Sequence, residues 1–535
     1  MRYLITGISL PYTAEESEFI ETAKKQMKRA ASTALFHFGI YKRSIDARKK
    51  NDIRAVCSVY AKTDEQLDAK TKQRLASIGI YELKESVDAP KSGNEALGAR
   101  PLVVGAGPAG MFCALILAEN GYAPILIDRG GSVAQRVKSN ELLRNTGTLD
   151  TETNIQFGAG GAGTFSDGKL TTRINNPLCS LVLDRMYKNG APEDIMTKAK
   201  PHIGTDVLRD VVENILSRIK ELGGEVILGT RLDGILKNAD GTLTAKTSCG
   251  DILCGCAVIA IGHSARDTYK MLEKAGFLLV PKPFSVGVRI EHLRADIDKA
   301  LYGDFAGDER LGAAEYNFSN TKGGRGVYTF CMCPGGEVVA AATEQGGVVV
   351  NGMSYRDRDG INSNSAINVS VGCEDYGNTV NGAVEYQRSL ERAAFAAGGG
   401  KFFAPVQTVG DFLGGTLSSE PKRVQPSYMG GERYELYDLN RIFPEYISSS
   451  LKRGISSFGK RLSGFDAPDA VLTGVETRTS SPVRIVRGEL GFAEYADRVY
   501  PCGEGAGYAG GIMSAAVDGI SVAYKIIERF KKTEK

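Results

Sequence analysis

The sequence has few histidines, a nearly balanced charge and no long apolar run. Its 535 residues include only four histidines, and the formal net charge is +3. Such a charge gives no reason to expect nucleic acid, an anionic membrane or an acidic substrate as partner. No apolar run approaches the roughly 20 residues that span a membrane, and the N-terminal apolar stretch is too short for a secretory signal. We therefore expect a cytoplasmic protein of two or three domains.

Cysteine patterns that would indicate metal or disulfide chemistry are also missing. The ten cysteines do not provide four well-spaced zinc ligands, so no metal site is predicted. No C-x-x-C or C-x₄-C pair lies near the segments expected to bind a cofactor. Cys331 and Cys333 are two positions apart, as are Cys254 and Cys256, so each pair would face one side of a strand. Strand packing is the favoured interpretation, and a redox role for Cys331 and Cys333 is the alternative.

The strongest positive signal is the segment 101–129, PLVVGAGPAGMFCALILAENGYAPILIDR. Gly105, Gly107 and Gly110 stand in G-x-G-x-x-G spacing between an apolar strand and an apolar helix. In that order they permit a tight turn, the close approach of a pyrophosphate, and close packing of the helix on the sheet. The helix N-terminus attracts the phosphates, and Asp128, ending the second strand, can bind a ribose diol. The segment predicts a dinucleotide-binding site.

Two further glycine-rich segments favour FAD over NAD. Residues 158–163 repeat the spacing without a preceding strand or a following helix, so they predict a loop that wraps the cofactor. Near the C-terminus, Glu504 follows a short strand, and a long amphipathic helix begins near Gly510 and Gly511. An acid in this position can bind a ribityl chain, and the helix start can stabilise the reduced flavin near N1 and O2.

These arguments define two sets of candidate residues. The predicted cofactor-binding residues are Gly105, Gly107, Pro108, Ala109, Gly110, Asp128, Arg129, Arg136, Gly160, Gly161, Gly163, Thr164, Lys169, Gly262, Gly503, Glu504, Gly510, Gly511 and Ile512. The weaker catalytic candidates are His263 and His292 as general acids, Arg289 and Arg478 as anchors for a substrate carboxylate or phosphate, and Cys331 with Cys333. Each catalytic candidate has a structural role as its alternative. Arg136 is expected to reach the pyrophosphate, with a solvated arginine as the alternative.

The expected fold is α/β. A Rossmann-like FAD-binding domain (96–265 and 476–535) receives an inserted α+β substrate or cap domain (266–475). Residues 1–95 form a small N-terminal α/β module of ferredoxin-like type. The basic run 41–50, YKRSIDARKK, is interpreted as a solvated face or an interdomain contact, with RNA binding as the alternative.

The chain resembles the bacterial family of FAD-dependent, or NAD(FAD)-utilising, dehydrogenases, which have a flavoprotein fold of glutathione-reductase type. The resemblance extends over nearly the whole length. Its motifs include GAGPAGMFCA (105–114), FGAGGAGTFSDGKL (157–170), AIGHSARDT (260–268), KPFSVGVRIEH (282–292), CMCPGGEVV (331–339), NGMSYRDRDG (351–360), TSSPVRI (479–485) and CGEGAGYAGGI (502–512). The resemblance implies bound FAD, a two-domain flavoprotein core and an extra N-terminal module.

The resulting hypothesis is an FAD-dependent oxidoreductase that passes hydride through flavin N5 to or from a small molecule. NAD(P)H is a possible transient donor, because the chain has no second complete fingerprint. Two alternatives remain: a flavoprotein that binds or modifies RNA through residues 1–95, and a flavin-binding protein without turnover. The oligomeric state is left open.

Overall fold

The computed structural model describes residues 1–31, 35–83, 88–417, 419–494 and 496–532. Within these ranges, no helix is both long enough and apolar enough to traverse a membrane.

The N-terminal module is a four-stranded antiparallel sheet with two helices. Its elements are β1 (Arg2–Pro11), α1 (Glu16–Ala30), β2 (His37–Asp46), β3 (Arg54–Lys62), α2 (Ala69–Ser77) and β4 (Tyr81–Glu82). The strand order β2-β3-β1-β4 in a βαββαβ chain is the ferredoxin-like arrangement, as predicted. β3 alternates between buried and half-buried residues, because one face of the sheet packs on the helices.

The basic run of the module lies on β2 and the loop after it. The Arg43 backbone N–H donates to the Thr197 carbonyl at 2.7 Å, and the Ala199 N–H donates to the Arg43 carbonyl at 2.9 Å. The Arg43 guanidinium bonds the carbonyl of Tyr12 at 3.1 Å. This part of the run is an interdomain contact.

The second unit begins with β5 (Pro101–Val104), α3 (Pro108–Glu119), β6 (Ile125–Asp128), α4 (Val133–Thr146), α5 (Leu178–Lys188) and α6 (Thr205–Glu221). It continues with β7 (Glu225–Leu228), β8 (Leu232–Lys237), β9 (Leu243–Thr247), β10 (Gly250–Cys254), β11 (Cys256–Ile259) and α7 (Arg266–Lys274). Every residue of β5, β6 and β11 is buried, which explains their unbroken apolar runs. Strands β8 to β10 form a separate antiparallel sheet.

The third unit is built around a seven-stranded sheet. Its first elements are β12 (Leu279–Pro281), β13 (Phe284–Leu293), α8 (Arg294–Tyr302), β14 (Ser319–Asn320), β15 (Val327–Cys333), β16 (Gly336–Ala340), β17 (Val350–Ser354) and β18 (Asn362–Val371). Next come α9 (Cys373–Tyr376), α10 (Val380–Ala397), β19 (Ala404–Thr408), α11 (Val409–Gly414), β20 (Tyr434–Leu436), α12 (Glu445–Gly459), β21 (Val471–Glu476) and β22 (Val483–Ile485). The sheet order is β14-β15-β18-β13-β21-β19-β20. β13 and β18 are buried almost throughout, so both faces of the sheet are covered.

The chain then returns to the second unit with β23 (Val499–Pro501) and α13 (Ile512–Arg529). β23 pairs in parallel with β11 and completes the order β23-β11-β5-β6-β7. α13 packs directly on α3, and a Cβ added to Gly519 would lie 2.1 Å from the Ala109 carbonyl oxygen. The molecule is an α/β protein with a Rossmann-like domain completed by its C-terminal segment, as predicted.

Candidate functional site

The predicted dinucleotide fingerprint forms the turn between β5 and α3. Gly105 has a φ of +104°, and a Cβ there would lie 2.2 Å from the Ala260 carbonyl oxygen. A Cβ on Gly110 would lie 1.8 Å from the Gly105 oxygen. Gly107 is the N-cap of α3 and leaves the first helical N–H groups uncapped by a side chain. The turn therefore needs glycine for its conformation and its packing, and its helix start can receive an anion.

The second glycine loop lies against this fingerprint. The Gly160 N–H donates to the Ala106 carbonyl at 2.8 Å. A Cβ on Gly161 would lie 2.9 Å from the Cα of Gly107. Residues 158–163 therefore touch the start of α3, although they do not form a Rossmann turn of their own.

The C-terminal glycine segment reaches the same place. A Cβ on Gly503 would lie 2.6 Å from the Ala109 Cβ, and one on Gly163 would lie 2.9 Å from Ile512 Cγ1. Ile512 is the first residue of α13. Three segments separated by up to about 400 positions thus meet around the N-termini of α3 and α13.

Open space lies in front of the α13 N-terminus. A Cβ on Gly262, Gly510 or Gly511 would have no neighbour within 4 Å. Beside it, Glu504 Oε2 accepts a hydrogen bond from the Gly511 N–H at 3.4 Å. Burial raises the pKa of Glu504 to about 7. A helix start that Gly511 leaves without a side-chain cap, the Glu504 carboxyl and the bare glycines fit the polar edge and ribityl chain of a flavin.

Asp128 and Arg129 make contacts that the sequence did not predict. Asp128 Oδ2 accepts from the Ala106 N–H at 2.7 Å and its Oδ1 accepts from the Gly130 N–H at 2.8 Å. Arg129 pairs with Glu152 and Asp267, each at 2.7 Å. Both side chains therefore already bridge neighbouring loops.

Arg136 is neither solvated nor directed at open space. Its guanidinium is fully buried and donates to the carbonyls of Asn154 at 3.0 Å, Ile155 at 2.7 Å and Gly161 at 2.9 Å, as well as to that of Ala159. Burial lowers its pKa to about 9. Arg136 holds the second glycine loop in its conformation.

A cavity of about 520 Å³ lies between the Rossmann-like unit and the third unit. Its walls come from the residues after β6 and β11, from the 343–347 segment and from α10. Side chains that line it include Arg129, Glu152, Arg266, Lys270, Glu344, Arg388 and Glu391. The carboxyl ends of parallel strands are where ligands bind in such sheets, and the residues after β6 and β11 place the cavity at that edge.

A buried charge cluster forms one wall of this cavity. Glu391 Oε1 accepts from Arg266 at 2.7 Å and from Arg478 at 3.1 Å. Although burial acts in the opposite direction, these two guanidinium groups hold the pKa of Glu391 well below its usual range. Arg478 also donates to Thr343 Oγ1 at 2.7 Å. Arg478, a candidate substrate anchor, is thus engaged with side chains of the protein.

The two histidine candidates lie in different surroundings, and in both places the pKa of the imidazole is lowered. His263 lies beside the charge cluster, 3.0 Å from Ser264 Oγ. Burial and the nearby arginines lower its pKa to about 3, so it is neutral at physiological pH. His292 is buried in β13, where its Nε2 lies 2.8 Å from the Phe465 carbonyl. Burial lowers its pKa as well, and neither imidazole carries the charge that a general acid would use.

The remaining candidates form a second cluster at the end of β15. Arg289 donates to Glu476 at 3.0 Å, to the Cys331 carbonyl at 2.6 Å, and lies 3.8 Å from Cys333 Sγ. Lys169, six residues after the second glycine loop, donates to the carbonyl of Met332. The structure therefore brings together four residues that the sequence predicted separately.

Sequence reasoning missed several charged residues of these clusters. Arg358 donates to Asp167 and to Glu315, and Lys169 lies 3.6 Å from Glu315. In the charge cluster at the cavity wall, Glu391 accepts hydrogen bonds from Arg266 and Arg478. Arg266 and Arg358 stand inside the motifs AIGHSARDT and NGMSYRDRDG, which were the available signal. Glu391 and Glu315 lie outside the quoted motifs.

Comparisons with known proteins agree with this architecture. Residues 283–479 match the family "FAD-dependent protein, C-terminal domain-like", residues 103–166 match the NAD(P)-binding Rossmann-like domain, and residues 3–62 match a domain of unknown function. A protein of Clostridium beijerinckii is 48% identical over 497 residues, which is 92% of each chain.

Among solved structures, the halogenase PltM is 11% identical with a TM-score of 0.38, covering 81% of this chain and 71% of the other. Glycine oxidase from Geobacillus kaustophilus is 11% identical with a TM-score of 0.33, covering 82% and 96%. Similarity at this level carries no argument about function. The relative shows that this chain belongs to the same family as the Clostridium protein, and residues 283–479 match the C-terminal domain of FAD-dependent proteins.

Proposed function

We propose that this protein is an oxidoreductase in which flavin N5 exchanges hydride with a small organic substrate. The observation that carries the proposal is the meeting of three glycine segments at the N-termini of α3 and α13. A nucleotide domain that binds only NAD has no need of the second helix start. FAD supplies the hydride chemistry when bound, and the protein supplies its position.

The residues divide the proposed cofactor between them. The start of α3, with Gly105, Gly107 and Gly110, takes the pyrophosphate. The start of α13, with Gly510 and Gly511, takes the pyrimidine edge of the isoalloxazine, where N–H donors stabilise negative charge on the reduced ring. Glu504 takes the ribityl chain. The residues after β6, which also line the cavity, would hold the adenosine half. The other predicted cofactor-binding positions keep their proposed places around this path, except that Asp128 and Arg136 act through the loops they hold.

Two supporting parts of the proposal concern the domains. The separate β8–β10 sheet between β7 and β11, together with the returning β23 and α13, supports a FAD domain of glutathione-reductase type. The proposed division at residues 95, 265 and 475 places the seven-stranded sheet up to residue 475 in the substrate domain, together with α7, and leaves β22 in the FAD domain. Of the catalytic candidates, Arg289, Cys331 and Cys333 are favoured because Lys169 connects them to the cofactor loop.

The test is a reductive titration of the purified protein. The protein should carry FAD in stoichiometric amount, and its visible flavin band should bleach on anaerobic addition of NADH or NADPH, the proposed transient donors. Protein that holds no flavin after reconstitution contradicts the proposal. Flavin that no donor reduces at a useful rate favours the alternative of a flavin-binding protein without turnover.

RNA binding through residues 1–95 is a weaker candidate. Arg43, in the basic run, is engaged with residues 197–199 and with Tyr12, which removes one cation from a free surface. Salt-sensitive RNA binding that disappears when the basic residues 48–50 are neutralised would restore this candidate.

A further inference from the structure

We propose that Cys331 and Cys333 form a redox-active dithiol, with Cys331 as the attacking thiol and Cys333 as the resolving thiol. The pair would exchange with a small-molecule disulfide. This inference goes beyond the proposed function and does not require bound flavin.

The backbone at the pair departs from a regular strand. Cys331 has a φ of +44°, which is rare for a residue other than glycine. The register of β15 against β18 shifts between Phe330 and Cys333, where three steps on β15 face two on β18. Such a bulge re-aims side chains. Cys333 Sγ consequently lies only 3.3 Å from the Cys331 carbonyl oxygen, so the second thiol folds back toward the first residue.

Two cations surround the pair. The Arg289 guanidinium bonds the Cys331 carbonyl and lies within 3.8 Å of Cys333 Sγ, and Lys169 bonds the intervening Met332 carbonyl. A hydrogen bond from Cys333, together with the charges of Arg289 and Lys169, lowers the pKa of Cys331 below its usual range. The same interaction raises the pKa of Cys333. Thiolates near cations are the reactive ones.

The exposure of the two residues assigns their order. Cys331 is partly exposed, whereas Cys333 is fully buried. The Cys331 thiolate attacks one sulfur of a disulfide RSSR and expels one RS⁻. Cys333 then loses its proton, attacks the Cys331 sulfur and expels the second RS⁻. The sum is one RSSR and two protein thiols giving one protein disulfide and two RSH, so the protein is oxidised and the small disulfide is reduced.

The location connects the pair to the nucleotide site. Gly163 touches the start of α13, and Lys169 is only six residues further along the chain. Six residues span at most about 20 Å when fully extended. This short segment joins the start of α13 to Lys169, whose ammonium bonds the Met332 carbonyl between the two cysteines.

The test uses the full protein equilibrated in a series of reduced and oxidised glutathione mixtures, quenched with acid, alkylated and analysed by peptide mass spectrometry. The 331–333 peptide should change from two alkylated thiols to an internal disulfide across the series, and return on reduction. Cys254 and Cys256 are the matched internal control, because they have the same spacing but are both fully buried, and they should stay reduced. Two persistent thiols at 331 and 333, or equal oxidation of 254 and 256, overturns the inference.

Two variants assign the roles. Cys333→Ser should accumulate a glutathione adduct on Cys331 because nothing resolves it. Cys331→Ser should leave Cys333 unmodified. The reverse pattern refutes the assignment. FAD content, measured on the same samples, reports separately on the proposed function: flavin without a 331–333 disulfide leaves that function standing while this inference fails.

Discussion

Replacing Arg136 with methionine separates two roles for this residue, support of the glycine loop and contact with the pyrophosphate. The guanidinium donates to four carbonyl groups, on residues 154, 155, 159 and 161. Methionine keeps much of the volume but donates nothing, so these buried carbonyls lose their partners. At about 1 kcal/mol for each unsatisfied group, the loop loses about 4 kcal/mol.

This loss has a local signature. A change of about 4 kcal/mol corresponds to a roughly thousand-fold increase in the opening equilibrium of the loop. Hydrogen exchange followed by mass spectrometry on the flavin-free protein should show it as lost protection over residues 154–165. Arg423→Met is the matched control, because Arg423 forms only exposed ion pairs with Asp296 and Asp469 and should change stability by less than about 1 kcal/mol.

Two outcomes would contradict the role of Arg136 in supporting the glycine loop. If flavin-free Arg136→Met keeps wild-type exchange over residues 154–165 but binds FAD more weakly, then Arg136 acts on the cofactor and not on the loop. If both properties are unchanged, the four carbonyl bonds contribute nothing measurable.

The remaining predictions address the other parts of the site. Gly110→Ala places a methyl group 1.8 Å from the Gly105 oxygen. The FAD dissociation constant, measured by flavin fluorescence, should therefore rise by about tenfold or more. Gly326→Ala is the control and should leave this constant unchanged, because its Cβ would have its nearest neighbour at 3.6 Å. Because the folded-state pKa of Glu504 is raised from 4.5 to about 7, the folded state binds more protons between these values and loses stability as pH rises. Glu504→Gln should therefore flatten the decline of the thermal midpoint of flavin-free protein from pH 4.5 to 7, and a decline equal to wild type argues against the burial of this carboxyl. Arg266→Met removes one of the two guanidinium partners of the buried Glu391 carboxylate and should reduce the free energy of unfolding by about 3–5 kcal/mol, measured by urea denaturation. A loss below about 1 kcal/mol would mean that Arg478 alone compensates the charge.

The sequence predicted those parts of the fold whose signals are local. The strand, glycines and helix of 101–120 occupy adjacent positions, and the group that excludes a side chain at Gly110, the Gly105 oxygen, lies within the same segment. The return of the C-terminal segment was also predictable, because the glycines before α13 mark the start of a second helix, as the glycines before α3 do, and the acid Glu504 precedes them. The ferredoxin-like type of the N-terminal module was also predicted.

The side-chain partners were not predictable in the same way. Asp128 and Arg136 were both expected to face the cofactor, but their nearest partners are backbone groups of loops that only the three-dimensional fold brings together. Glu391 is the clearest example, since it becomes important only because α10 places it between Arg266 and Arg478. Long-range pairing of charges leaves no periodicity in a sequence.

The returning segment has a consequence for synthesis of the protein. Until residues 499–529 have left the ribosome, β11 lacks its outer neighbour and the apolar surface of α3 lacks α13. The substrate-side sheet, encoded entirely before that point, can fold first. During this interval the nascent nucleotide domain therefore exposes an open sheet edge and an uncovered apolar helix. Chaperones act on surfaces of this kind.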